Sequence, residues 1–195
     1  MLGVGAFAYV AVHLLLFVVD KAFDLRVVAG EIVLRLYLTI GFTALLLLAA
    51  LAATSTDAMM RRLGRRWQML HRLAYPAAVL AIVHHIMQAR LNALEPTVMA
   101  GLLVWLLSYR LLRRRGRALT PAMLAGLSLA TALLTAAGEA LCYGLFTGID
   151  PWRVLQANLD MAGQRPGWLV LMITSVMIAA AWWRSRPRLR PFPAG

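Results

Sequence analysis

The chain has 195 residues, of which 62% are apolar and only 14% are charged, against roughly 45–50% and about 25% in an average soluble domain. These proportions exclude an ordinary soluble protein. The formal net charge is +12, but the basic residues lie mainly between or beyond the apolar segments, so we expect no nucleic-acid partner. The single cysteine, Cys142, excludes an internal disulfide and a cysteine-rich metal or iron–sulfur site.

Six apolar segments are long enough to be interpreted as membrane-spanning helices, since about 18 apolar residues cross the hydrocarbon core. In chain order they are residues 2–19, 37–53, 67–88, 97–112, 123–146 and 168–183. The first has no basic n-region and no cleavage pattern, so we interpret it as a retained helix rather than a signal peptide. The sequence therefore predicts an all-α, polytopic transmembrane bundle.

Basic residues are distributed unequally between the two sides of this bundle. Thirteen follow segments two, four and six: Arg61, Arg62, Arg65, Arg66, Arg110, Arg113, Arg114, Arg115, Arg117, Arg184, Arg186, Arg188 and Arg190. Six lie in the other connections: Lys21, Arg26, Arg35, Arg90, Arg153 and Arg165. The positive-inside rule then places both termini in the cytoplasm.

Two connecting regions have recognisable patterns. Residues 21–36 alternate charged and apolar side chains, which predicts a short amphipathic helix along the membrane surface. The C-terminal sequence PRLRPFPAG is predicted to be a disordered anchor at the membrane.

All four histidines lie within predicted spans, where ionisable side chains are costly and usually face a cavity, a neighbouring helix or a cofactor. His71 and His84 are 13 residues apart, about 20 Å along a helix, a separation suited to two stacked haems. His13 precedes Asp20 by seven residues and His84 precedes Arg90 by six, so the two histidines have similar depths. An imidazole on each of two helices could bind one haem iron from both faces.

Helical phase leaves the choice between His84 and His85 open. At 100° per residue, His85 lies about 40° from the face of His71, whereas His84 lies about 140° away. Pro76, between them, can kink the helix and change its phase. His85 therefore stays an alternative ligand.

Other interpretations of these residues are simpler. A single intramembrane histidine can bond a carbonyl or hydroxyl of a neighbouring helix, and zinc or copper transport is disfavoured because no carboxylate or thiolate accompanies the histidines.

Glu139 is interpreted first as a hydrogen-bonded structural carboxylate, and second as a proton or quinone site. Three arginines flank His71 closely enough to bind a haem propionate or a flavin phosphate: Arg65, Arg66 and Arg72.

The run TSTDAMMRRLGRRWQMLHRLAY, followed by a histidine 13 residues after that of LHRLAY, resembles the MsrQ (YedZ) family of haem-binding membrane subunits. That family is a branch of the ferric-reductase-like transmembrane family. The resemblance covers roughly residues 1–112, which it identifies as a haem-binding transmembrane core. Residues 113–195 are interpreted as two further spanning helices with a basic tail.

The resemblance assigns ligand roles to His13, His71 and His84, whereas His85 stands where relatives have an aromatic residue. Relatives have a further helix and an arginine pair before the equivalent of Leu2, so we expect an N-terminal helix to be missing here. The position that would pair with His71 on the first helix falls before Met1. We therefore expect one well-ligated haem at His13 and His84, and weaker binding of a second at His71.

In function, the resemblance implies a b-type haem subunit of the bacterial inner membrane that carries electrons and has no substrate-reducing site of its own. It would take electrons from the quinone pool, with FMN as a candidate additional cofactor, and deliver them to MsrP. MsrP is a periplasmic molybdopterin enzyme that repairs methionine sulfoxide. Two alternatives are a stand-alone ferric or oxygen reductase, and a small transporter that uses histidines as a proton relay.

Overall fold

The computed structural model describes residues 2–89, 93–160 and 164–185, and this part of the chain is helical without any strand. Arg90, Arg186, Arg188, Arg190 and the predicted C-terminal anchor lie outside the described residues. The chain divides into two compact units, Met1–Leu91 and Asn92–Gly195. The predicted all-α fold is confirmed.

The first unit contains six α-helices and one turn of 3₁₀ helix. They are α1 (Leu2–Asp20), α2 (Leu25–Leu34), α3 (Leu36–Ala53), α4 (Asp57–Leu63), α5 (Arg65–Leu70), the 3₁₀ turn His71–Leu73 and α6 (Ala74–Gln88). Helix α3 packs against α1, α2 and α6. The helix predicted within residues 21–36 is present as α2, which Asp24 caps by accepting hydrogen bonds from the backbone N–H groups of Arg26 and Val27.

The described part of the second unit, residues 93–160 and 164–185, contains four α-helices. They are α7 (Leu94–Arg114), α8 (Pro121–Thr147), α9 (Pro151–Leu159) and α10 (Pro166–Ser185). Helix α8 packs against the other three, and α7 also contacts α10. The sequence resemblance places residues 1–112, and with them most of α7, in the N-terminal core. In the structure α7 packs with α8 and α10.

Small side chains allow α7, α8 and α10 to approach closely. A Cβ atom added to Gly101 would collide with the side chains of Thr135 on α8 and Val170 on α10. The Trp105 indole donates a hydrogen bond to the Ser128 hydroxyl at 3.1 Å in the buried interior. This pattern of small and hydroxyl side chains is typical of helix contacts within membranes.

Within the described residues, four helices are long and apolar enough to cross a membrane, namely α1, α3, α8 and α10. The two remaining predicted spans are also helical. One is α7, whose hydropathy is lowered by Arg110, Arg113 and Arg114 near its C-terminal end. The other, predicted as one helix over 67–88, is interrupted by the 3₁₀ turn, so that α6 has only 15 residues.

Pro76 accounts for this interruption. Proline has no backbone N–H, and its ring clashes with the carbonyl four residues earlier, here that of Arg72. The backbone forms a 3₁₀ turn at His71–Leu73 in place of a regular α-helical turn. Pro76 then occupies the first turn of α6, where a missing N–H is tolerated. The predicted local change at Pro76 is confirmed.

Candidate functional site

A cavity of about 570 Å³ lies within the first unit, between α1, α3 and α6. Most of its lining is aliphatic or aromatic, including Leu14, Phe17, Phe42 and Leu48. Its volume falls within the roughly 300–1,000 Å³ typical of cofactor and small-molecule sites. An apolar cavity of this kind suits a large hydrophobic ligand with few polar groups.

His13 on α1 and His84 on α6 both line this cavity. Their ring centroids are 6.5 Å apart and the ring planes are inclined at 78°. With metal–nitrogen bonds of about 2 Å, this separation leaves room for a single metal atom between the two imidazoles. The structure thus brings together the two histidines that were predicted to share a depth.

The contacts of His84 define which of its nitrogens is free. Its Nδ1 lies 2.7 Å from the backbone carbonyl oxygen of Tyr37. Because a carbonyl can only accept, Nδ1 carries the proton and Nε2 keeps its lone pair. The Tyr37 ring stacks beside that of His84, with centroids 6.1 Å apart and planes at 28°. This arrangement matches the usual orientation of a metal-binding histidine by a carbonyl.

His85 also lines the cavity. The three residues of 3₁₀ geometry, at about 120° each, bring His84 to about 80° and His85 to about 20° from the face of His71. Helical phase alone therefore still favours His85. The contacts with His13 and Tyr37, in contrast, involve His84.

His71 lies in a different environment, at the 3₁₀ turn and not among the residues that line the cavity. Its ring stacks on Trp67 at 3.9 Å between centroids, and the Trp67 indole donates to the Thr54 carbonyl at 2.9 Å. The His71 Nε2 is 3.5 Å from the Ser55 hydroxyl. Its Nδ1 is buried and has no hydrogen-bond partner in the described chain, so a ring nitrogen is available to a ligand.

The three arginines predicted to bind an anionic group lie near His71 in sequence. Arg65 and Arg66 begin α5, and Arg72 follows His71 in the 3₁₀ turn. All three are exposed, and none lines the cavity between α1, α3 and α6. The three arginines are therefore neighbours of His71 in the chain and are not part of the cavity lined by His13 and His84.

Charged residues lie where α1 ends at the cavity. Asp20 lines the cavity, and the Lys21 ammonium donates to its carboxylate at 2.8 Å. This hydrogen bond and the charge of Asp20 raise the pKa of Lys21. The Arg35 guanidinium bonds the Glu31 carboxylate at 3.0 Å. Positive and negative charges are thus paired at this end of the cavity.

Glu139 in the second unit has partners that favour its structural interpretation. Its carboxylate is buried and accepts a hydrogen bond from the Asn158 side-chain amide at 2.5 Å. The Arg165 guanidinium lies 3.5 Å from the other carboxylate oxygen. Sequence reasoning identified Glu139 but not Asn158 or Arg165, because they lie 19 and more residues away and join it only in the folded chain.

The donor set fits a metal within a larger organic group better than a bare metal ion. Among the described residues, no three His, Cys, Asp or Glu side chains come together as a metal site. Two imidazoles from different helices that line one apolar cavity are instead the protein ligands expected for a haem iron, whose other four ligands belong to the porphyrin.

Comparisons with known proteins show what this chain is similar to. Residues 1–82 match the family model described as a ferric reductase like transmembrane component. This part of the chain is similar to the ferric-reductase-like transmembrane family. The matched residues include α1, α3 and most of α6, the three helices that line the cavity.

Curated relatives extend the similarity beyond residue 82. The chain is 48% identical over 125 residues to a protein of Rhodospirillum rubrum, a match that covers 60% of each chain. It is 44% identical over 115 residues to one of Xanthomonas campestris, covering 58% of this chain and 53% of the relative. A protein of Azospira oryzae is 42% identical over 117 residues, covering 58% and 50%.

Each of these relatives is named protein-methionine-sulfoxide reductase heme-binding subunit MsrQ. The resemblance inferred from the LHRLAY region is therefore confirmed. The chain matches between one half and three fifths of the length of these relatives. No solved structure matches the chain significantly.

Proposed function

We propose that the protein is a b-type haem electron-transfer subunit of the bacterial inner membrane, with both termini in the cytoplasm. It takes respiratory electrons from quinol and passes them to the periplasmic molybdopterin reductase MsrP, which repairs oxidised envelope proteins. The relatives' name supports a haem-binding role in methionine-sulfoxide reduction. The observation that carries the proposal is the pair of imidazoles, with ring centroids 6.5 Å apart, that line one apolar cavity.

In this proposal His13 and His84 are the residues that would hold the haem. Haem held at this site would supply one-electron redox chemistry. The Tyr37 carbonyl holds the proton of His84 on Nδ1 and leaves Nε2 for the iron. The apolar lining keeps water from the site, which lowers the local dielectric constant and helps to set the potential.

His71 is the candidate ligand of a second group, either a second haem or a cofactor held beside it. The buried Nδ1 without a partner supports this role. Arg65, Arg66 and Arg72 supply positive charge for haem propionates or for the phosphate of FMN. Trp67 and Ser55 would orient the ring.

Haem titration of the purified full chain in detergent tests the ligand assignment. We expect a Soret band and paired α and β bands after dithionite reduction. His13→Ala and His84→Ala should each remove the low-spin signal of the cavity haem, and the matched control His85→Ala should keep most of it. The reverse behaviour of His84→Ala and His85→Ala would make His85 the ligand. A wild-type chain that binds no haem would contradict the proposal and favour a proton relay.

The direction of electron transfer needs a separate experiment with the haem-loaded wild-type chain. We expect quinol to reduce the haem, and MsrP with a methionine-sulfoxide substrate to reoxidise it. Ferric citrate and oxygen serve as competing acceptors in parallel reactions. Faster reoxidation by either of these than by MsrP would favour a stand-alone reductase.

A further inference from the structure

His84 rests directly against the backbone of α3 at Gly41. A Cβ atom at Gly41 would lie 2.6 Å from the His84 Nδ1, 2.8 Å from Cε1 and 3.0 Å from Cγ. These separations are shorter than normal van der Waals contacts, and the atoms belong to a ring that cannot bend. Only glycine at position 41 therefore admits the His84 ring in this position.

The same glycine gives His84 access to its hydrogen-bond partner. In the regular pattern of α3, the backbone N–H of Gly41 bonds the carbonyl of Tyr37, four residues earlier. That carbonyl has a second lone pair, which accepts the His84 Nδ1–H at 2.7 Å. A side chain at position 41 would occupy the space through which the imidazole reaches this oxygen.

We infer that Gly41 is a positioning residue for the iron ligand His84: by lacking a side chain it fixes the plane and the tautomer of the imidazole. This inference rests on the proposed haem function. It gives α3 a role in positioning the iron ligand. The sequence of α3 does not indicate this role, because α3 contains no histidine. Gly41 would act through His84 and would not bind the iron itself.

Loss of this contact should have two effects on a bound haem. The His84 ring would be displaced from its place beside His13, which would weaken its hold on the haem. The ligand would also lose the carbonyl hydrogen bond that raises its basicity. A less basic ligand stabilises the ferric state less, so the midpoint potential should rise in any haem that stays bound.

The test compares Gly41→Ala with Gly5→Ala in the full-length chain. Gly5 lies in α1, and a Cβ atom added there would have no neighbour within 4 Å. We expect Gly41→Ala to weaken low-spin haem binding at least tenfold, or to raise the midpoint potential of the haem that is retained. Gly5→Ala should match the wild type in both measurements. Equal spectra, affinities and potentials for Gly41→Ala and wild type would overturn the inference and leave the haem function intact.

A double-mutant cycle distinguishes this specific contact from general misfolding. In the haem-free chain, Gly41→Ala should lower the thermal stability when His84 is present but not in the His84→Ala background, where no ring remains to collide. Equal destabilisation in both backgrounds would overturn the inference. A wild-type chain that binds no haem would instead refute the proposed function, and with it the role of Gly41 in ligation.

Discussion

At the scale of single residues, the sequence was enough to select His13, His71 and His84 as candidate ligands, but their surroundings could not be predicted. The depth of His13 and His84 follows from counting residues to the ends of their apolar segments. The contact of His84 with Tyr37 joins residues 47 positions apart, and helical phase favoured the neighbouring His85. Which of His84 and His85 contacts the Tyr37 carbonyl depends on the position of the α3 backbone. The periodicity of α6 gives no information about that position.

The buried carboxylate of Glu139 leads to a prediction about stability. Glu139→Leu removes the acceptor of the Asn158 amide and should lower the free energy of unfolding by about 1–3 kcal/mol. Glu139→Gln keeps an acceptor oxygen and should cost less, because it loses mainly the attraction of the half-exposed Arg165. Thermal unfolding in detergent measures both effects.

A matched control lies two residues further along the same helix. Leu141 is exposed on α8, so Leu141→Ala should change the unfolding temperature little. If Glu139→Leu were as stable as this control, the carboxylate would not serve to join α8 to α9. The proton or quinone interpretation of Glu139 would then gain support.

At the scale of helices, the interruption between α5 and α6 leads to a prediction about Pro76. Pro76→Ala supplies the missing N–H and removes the clash with the Arg72 carbonyl. We expect α6 to extend backwards through His71 and to turn it by up to about 60°, since three residues change from 3₁₀ to α geometry. Amide hydrogen exchange in residues 70–77 should become slower.

Pro121→Ala is the control for this substitution. Pro121 is exposed and begins α8, where the first N–H has no partner within the helix. Its replacement should leave exchange in α8 almost unchanged. Unaltered exchange around His71 in Pro76→Ala would show that the 3₁₀ turn has another cause.

Helix α9 shows where sequence interpretation was incomplete. With nine residues it is shorter than the roughly 18 apolar residues that indicate a spanning helix. Its start signal is nevertheless present, because Asp150 accepts the backbone N–H of Trp152 and Pro151 occupies the first helical position. A search for helix caps, in addition to long apolar runs, would have found this element.

At the scale of the whole molecule, the excess of arginine predicts that the loops containing residues 61–66 and 110–117 face the cytoplasm. Single cysteines introduced by Arg62→Cys and Arg115→Cys in a Cys142→Ser background should react with a membrane-impermeant maleimide only after permeabilisation. Asp24→Cys, in the opposite connection, should react in intact spheroplasts. Labelling of residue 62 or 115 in intact spheroplasts would reject this orientation and the electron path derived from it.

The length of the apolar runs was sufficient to predict most of the architecture. Segments 2–19, 37–53, 123–146 and 168–183 correspond closely to α1, α3, α8 and α10, because crossing a membrane imposes a minimum length and composition. The cavity could not be predicted in the same way. Its shape depends on how α1, α3 and α6 pack, and lipid-facing and cavity-facing apolar residues have the same composition.

The loose packing of α1 leads to a prediction about how fast the protein is degraded in the cell. None of its spanning window is buried, against 17% of that of α3, although α1 supplies one wall of the cavity. A ligand that bridges this wall to α6 stabilises the folded form by mass action. When its free concentration is a thousand times its dissociation constant, the stabilisation is about 4 kcal/mol. We therefore expect membrane proteases to remove the protein faster in cells starved of haem, so that its abundance follows the supply of the cofactor.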